Sequence, residues 1–208
     1  MDTSDPTPNG FFEQWRLLAG IAALLALACA ALLTLSPDAS GARMVIRFTA
    51  RTSLVLFCLA FCASAMARLW PGPLTRWQRR NRRMLGLSFA TSHLLHAGAI
   101  VLFAALDPGG FHQATNLVTY INGGIAYLFI IAMAATSFRQ SAAWIGPRAW
   151  SILHTCGTYY LWISFLIAFG KRFMLGPVYP LAVALLVAAL AIRLAAQLHV
   201  ARAGQVQG

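Results

Sequence analysis

His93, His96 and His154 are the residues of this 208-residue chain whose type and setting point to chemistry. All three sit in apolar runs of membrane-spanning length, His93 and His96 in one and His154 in another. An imidazole in hydrocarbon is costly unless a metal or a hydrogen-bond partner satisfies its nitrogens, so such residues mark candidate sites. His93 and His96 are three apart and lie on neighbouring parts of one helical face. Imidazoles projecting from facing helices of a bundle are the donors that b-type haem takes, either two to an iron or one with an open sixth position. Haem b is therefore the first cofactor to consider. Only one of His93 and His96 is readily axial to a given iron, and the other is free to bond a propionate or water.

The rest of the composition fits that setting. Hydrophobic residues make up 59% of the chain and charged residues 10%, with a mean hydropathy of +0.68, which excludes an ordinary soluble domain. A net charge of +11, from 16 Lys+Arg against 5 acids, would suggest nucleic acid in a soluble protein. Here the arginines gather at the ends of apolar runs and form no basic face with interleaved aromatics, so the expected partner is lipid and not nucleic acid. Cys29, Cys58, Cys62 and Cys156 all fall in apolar runs without zinc or disulfide spacing; Cys58 and Cys62, four apart, read as small packing residues.

Six spans follow from asking for about 20 apolar residues per ~30 Å of hydrocarbon. They run from Leu17 to Leu35, Ser53 to Ala67, Met84 to Leu106, Leu117 to Phe138, Trp150 to Gly170 and Leu175 to Ile192. The expected fold is an all-α integral membrane protein, a six-transmembrane-helix bundle. The second run is short and would span by letting Arg51 and Arg68 snorkel or by recruiting Leu69 and Trp70. Arg68, Arg76, Arg79, Arg80, Arg82 and Arg83 place the segment between the second and third spans in the cytoplasm, and with it both termini. Arg43, Arg47, Arg51, Lys171 and Arg172 face outward and weaken that bias. Residues 1–16 read as a short tail, with Met1 to Gly10 disordered and lacking a leader's basic start; 17–192 as the membrane domain; and 193–208 as an amphipathic cytoplasmic tail.

Other residues admit a chemical and a plain reading. Arg47 and Arg51, four apart beside the second span, can clamp haem propionates or snorkel. Tyr159, Tyr160 and Trp162 can line an electron path or quinone pocket, or simply pack. His112 lies in the exterior loop from Asp107, open to a partner, a metal or solvent, and His199 in the cytoplasmic tail. No glycine-rich dinucleotide fingerprint and no strand-helix alternation occur, so no flavin or NAD site is expected. Electrons would come from a separate donor, a quinol or a cytoplasmic reductase, and leave to an exterior acceptor protein.

Several motifs carry a family resemblance: Thr49-Ala50-Arg51-Thr52-Ser53-Leu54, then Met66-Ala67-Arg68, then Arg82-Arg83-Met84-Leu85-Gly86-Leu87 with His96 nine residues beyond. Ala134-Ala135-Thr136-Ser137 and Gly146-Pro147-Arg148-Ala149-Trp150-Ser151-Ile152-Leu153-His154 continue the pattern. Over residues 45–172 the chain resembles the ferric-reductase-like transmembrane superfamily. Within it, the chain is most similar to the haem-binding membrane subunits that feed electrons to a periplasmic methionine sulfoxide reductase.

The resemblance implies b haem held by third- and fifth-span histidines in the bacterial inner membrane. His96 matches the third-span ligand position and His154 the first of two fifth-span positions, while the second is Ile167. If Arg83 and Arg148 share one level, His154 differs in depth from His96 by about 10 Å and from His93 by about 6 Å. Three arrangements stay open: one haem between His93 or His96 and His154, separate partly open haems, or no haem. The last corresponds to a haem-free membrane scaffold or transporter-like bundle.

Overall fold

Hydrocarbon gives backbone N–H and C=O groups no partner, so each apolar run must close its own hydrogen bonds as a helix. The computed structural model describes residues 14–205 and is all-helical there. In chain order the helices are α1 (Gln14–Leu35), α2 (Ala39–Leu69), α3 (Pro73–Arg80), α4 (Arg82–Leu106), α5 (Pro108–Ala114), α6 (Leu117–Ala135), α7 (Arg139–Ile145), α8 (Pro147–Gly170) and α9 (Val178–Gln205), with a 3-10 turn at Phe173–Leu175. Six of these, α1, α2, α4, α6, α8 and α9, are long and apolar enough to cross a membrane. The chain is a multi-pass membrane protein. The short α3 and α7 lie in the connections at one end, and α5 in a connection at the other.

Two boundaries differ from the sequence expectation. The second span is not a short one: α2 runs 31 residues, about 46 Å at 1.5 Å per residue, and takes in Arg43, Arg47 and Arg51. A hydrophobicity window stops at those arginines, whereas the helix continues because its inward face stays small and buried through Gly41, Ala42, Val45, Thr49 and Ser53. At its start the Asp38 carboxylate accepts from the Ser40 hydroxyl (2.7 Å) and from the amides of Ser40 (3.0 Å) and Gly41 (3.1 Å). These bonds, the Ser40 hydroxyl foremost, hold the Asp38 carboxyl below the usual carboxylate range. The last span is likewise longer, because α9 passes Ile192 without a break and includes Arg193. At the other terminus α1 takes in Gln14, Trp15 and Arg16; the expected tail from Met1 to Gly10 lies outside the described residues.

α2 is the central helix, with 50% of its apolar window buried against 22% or less in the other spans. Leu54, Phe57, Phe61, Phe89, Leu161, Phe165 and Leu186 form the main core between α2, α4, α8 and α9. Gly146 (φ +78°) turns the chain from α7 into α8, a conformation that L side chains rarely adopt, and Pro147 follows at the first helical position. Gly157 lets α8 approach α6, since a Cβ there would lie 2.8 Å from the Met133 sulfur and 2.9 Å from Phe129.

Gly157→Leu is expected to destabilise the bundle by about 1–3 kcal/mol through overpacking against Met133 and Phe129. Thermal unfolding in detergent measures it; an unchanged midpoint would show that α6 and α8 are not in close contact.

Candidate functional site

The three histidines separate into two places. His154 lines a cavity of about 400 Å³ enclosed by α2, α3, α4, α6, α8 and α9 toward the arginine-rich end of the bundle. Neither His93 nor His96 is on its wall.

His154 is held by two neighbours that are themselves bonded to each other. The Trp150 indole stacks on it with ring centroids 4.3 Å apart, and Trp150 Nε1 donates to the Thr136 carbonyl (3.0 Å). The Thr136 hydroxyl spends its one proton on the Ala132 carbonyl (2.7 Å), so it accepts from His154 Nε2–H at 3.0 Å. That leaves the lone pair on Nδ1. An imidazole with one nitrogen anchored to the protein and the other basic is what an iron or another Lewis acid requires. Met133, whose thioether packs against Gly157, lines the same cavity.

The cavity is strongly basic. Arg79, Arg80, Arg82 and Arg83 line it from the connection and the start of α4, and Arg193 enters from α9. The Arg193 guanidinium lies 4.3 Å from the Phe61 ring centroid and 5.2 Å from that of Tyr159, and donates to the Phe61 carbonyl (3.4 Å). Arg82 donates to the Ser64 hydroxyl (3.0 Å). The described carboxylates, Asp38 and Asp107, are both in connections at the opposite end, where Asp107 pairs with Arg43.

His93 and His96 belong to a polar seam between α2 and α4. His96 Nδ1 lies 3.1 Å from the Ile46 carbonyl and 3.0 Å from the Thr49 hydroxyl. A carbonyl only accepts, so Nδ1 carries the proton and Nε2 the lone pair. One turn back along α4, Ser92 meets the Ser53 (2.9 Å) and Thr52 (3.0 Å) hydroxyls. His93 is enclosed by rings: Phe89 (5.1 Å), His96 (5.3 Å), Tyr127 (5.5 Å) and Phe165 (5.8 Å) between centroids. Its Nδ1 is buried without a hydrogen-bond partner among the described residues, as is Ser88 Oγ.

The structure does not bring His154 together with His93 or His96. His93 packs on Phe165, eleven positions beyond His154 along α8, or about 16 Å at 1.5 Å per residue. The sequence arithmetic gave a smaller offset because it set Arg83 level with Arg148. In the fold Arg82 and Arg83 line the same cavity as Trp150 and His154, and Arg148 does not line it. At the His93 level Phe57, Phe89 and Phe165 pack with centroids 5.4 to 6.1 Å apart, and Ile167 is 43% exposed on the outer face of α8. The donors and basic rim of the His154 cavity are of the kinds that a porphyrin takes; between His93 and α8 the space is filled by phenylalanine.

The remaining candidates divide similarly. Arg47 and Arg51 are exposed on α2 and do not line the cavity. Tyr159 packs on Phe61 and Arg193, Tyr160 donates to the Asn122 carbonyl (3.1 Å), and Trp162 donates to the Leu186 carbonyl (2.9 Å), so all three tie helices together. His112 is exposed on α5 and His199 on α9. Cys58 and Cys62 are buried, and the Cys62 thiol donates to the Ala189 carbonyl (3.6 Å). Among the described residues no three His, Cys, Asp or Glu groups cluster as a metal site. The sequence reading missed Arg193, Trp150, Thr136 and Met133 as neighbours of the His154 site. Arg193 had a signal, a guanidinium directly after the apolar run 181–192; the others are ordinary residues until the helices are placed.

Comparison with known proteins gives one relative to report. The chain is 31% identical over 120 residues to the protein-methionine-sulfoxide reductase heme-binding subunit MsrQ of Ralstonia nicotianae, a match that covers 56% of this chain and 53% of that protein. The chain thus spans about half the length of the curated relative. No family model matches the chain, and no solved structure does.

Thr49→Val removes one acceptor from His96 and is expected to cost about 1 kcal/mol, in the range of interhelical hydrogen bonds in membranes. Ser92→Ala, which strips both the Thr52 and Ser53 contacts, should cost more. Unfolding of both variants in mixed micelles checks the order; a neutral Ser92→Ala would show that the seam does not stabilise the bundle.

Proposed function

We propose that this protein is a haem-b-binding electron-transfer subunit of the bacterial inner membrane, with the arginine-rich end and both termini in the cytoplasm. The observation that carries this reading is the His154 cavity: an anchored imidazole with a free lone pair inside an apolar, arginine-lined space. Likeness to a haem-binding subunit supports it. The excess of Arg68 to Arg83, Arg139 and Arg148 at that end supports the orientation.

In this reading His154 would hold the iron through its free Nδ1 lone pair. Bound haem supplies a one-electron couple whose potential the protein sets through ligand identity, burial and nearby charge. Thr136 fixes the His154 tautomer by taking the Nε2 proton, and Trp150 fixes the ring plane, so ligation requires no search by the side chain. Met133, on the same wall, would offer a thioether as a further donor. His96 and His93 lie farther out, across Phe89, which lines the cavity and packs on His93. They are assigned to the outward half of the relay, with His96 Nε2 available as a second donor and its Nδ1 held by Ile46. Arg51 on this assignment serves the exterior interface. A quinol or a cytoplasmic reductase is the donor, and an exterior methionine sulfoxide reductase the acceptor.

One observation favours a second reading, a haem-free scaffold: the aromatic packing around His93 leaves the outward histidines hydrogen-bonded or enclosed rather than facing a cofactor slot.

Protein purified from haem-replete cells should be coloured, with about one b haem per chain by the proposed stoichiometry. His154→Ala should lose most of the reduced-minus-oxidised signal, and His93→Ala should keep it. Colourless wild-type protein overturns the haem reading in favour of the scaffold.

A further inference from the structure

Arg193 is a guanidinium in the second half of α9, directly after the apolar run 181–192, half-buried, and on the wall of the His154 cavity. A charge in a span is retained only where something offsets its desolvation. Its protein contacts are a long bond to the Phe61 carbonyl and the faces of Phe61 and Tyr159, which attract a cation without neutralising it. The described carboxylates stand at the opposite end of the bundle. Arg79, Arg82 and Arg83 line the same cavity, so among the described residues its charged side chains are all positive where the walls are apolar. A cavity of this kind is complementary to an amphiphile with an apolar body and an anionic head.

We infer that Arg193 is the inner anchor for a carboxylate of the cofactor, pairing with a haem propionate through its guanidinium fork while Phe61 and Tyr159 hold the fork in place. This deepens the haem reading and rests on it. It also relocates the propionate clamp, for which the sequence offered Arg51, to a residue that faces the cavity. The pairing makes Arg193 a positioning residue with an electrostatic consequence: its positive charge disfavours the more cationic ferric state, so removing it lowers the midpoint potential.

The test uses the full chain, made in haem-deficient cells and titrated with haemin and with haemin dimethyl ester, whose carboxylates are blocked. Wild-type protein should bind the ester about tenfold more weakly than haemin, and Arg193→Met should bind the two alike, as a double-mutant cycle requires of a direct pair. Arg193→Lys should keep most of the discrimination. In haem-loaded protein Arg193→Met should lower the midpoint potential by about 59 mV, equivalent to a tenfold change for one electron. Should Arg193→Met fail to fold, Arg193→Gln makes the same comparison, and a variant that still discriminates as wild type does overturns the anchor. Equal affinity for haemin and ester in wild-type protein overturns the anchor and leaves the haem reading standing. Wild-type protein that binds neither overturns both, and retention of anionic phospholipid by that protein in native mass spectrometry would give the cavity to a lipid headgroup.

Discussion

Hydrocarbon supplies no hydrogen bonds, and every polar feature of this protein follows from where its polar groups then find partners. The α2–α4 seam is the clearest case. Thr49, Ser53 and Ser92 are fully buried, at 0% exposure, and each spends its hydroxyl on the neighbouring helix or its own carbonyls. His96 is drawn into the seam by the Ile46 carbonyl, which also fixes its tautomer. The same constraint acts on His154, whose Nε2 is held by Thr136 on α6. In both cases one nitrogen is committed to the scaffold and the other keeps its lone pair, the arrangement in which a histidine is most useful as a ligand.

The bundle is unequal from end to end. Toward the arginine-rich end, small residues such as Gly86, Ala90 and Ala134 leave a cavity beneath Phe89. Beyond Phe89 the space closes with Tyr127 and Phe165 against His93, and Phe169 packs on Phe165. Basic side chains line the open half, where long guanidinium stems can reach the interface while covering apolar surface. Such a division suits a cofactor held close to one membrane face. In the proposed function, passage of electrons to the other face would depend on the histidine and aromatic residues that Phe89 separates from the cavity.

Glycine at two points makes this cavity possible. Gly146 turns α7 into α8 so that Trp150 and His154 face inward, and Gly157 brings Met133 against α8. Neither position is chemical in itself. Both decide where chemical groups end up.

Composition and periodicity alone determined that the chain is a six-span helical membrane protein, because hydropathy over about 20 residues is a local property set by the bilayer thickness. Also legible were the three histidines as the unusual residues, since an imidazole in an apolar run stands out without any knowledge of its neighbours. Levels between helices were not legible. Depth was measured from Arg83 and Arg148 as if both marked one plane, yet long arginine stems let helices slide past such markers, and only packing set Arg82, Arg83 and His154 around one cavity. The true extent of α2 escaped for a related reason: Arg43, Arg47 and Arg51 end a hydropathy window but not a helix whose opposite face remains small. Arg193 could be read as the start of a polar tail until α9 was seen to carry it against Phe61 and Tyr159. Contacts between residues more than a hundred positions apart are decided by how helices pack, and no local pattern encodes them.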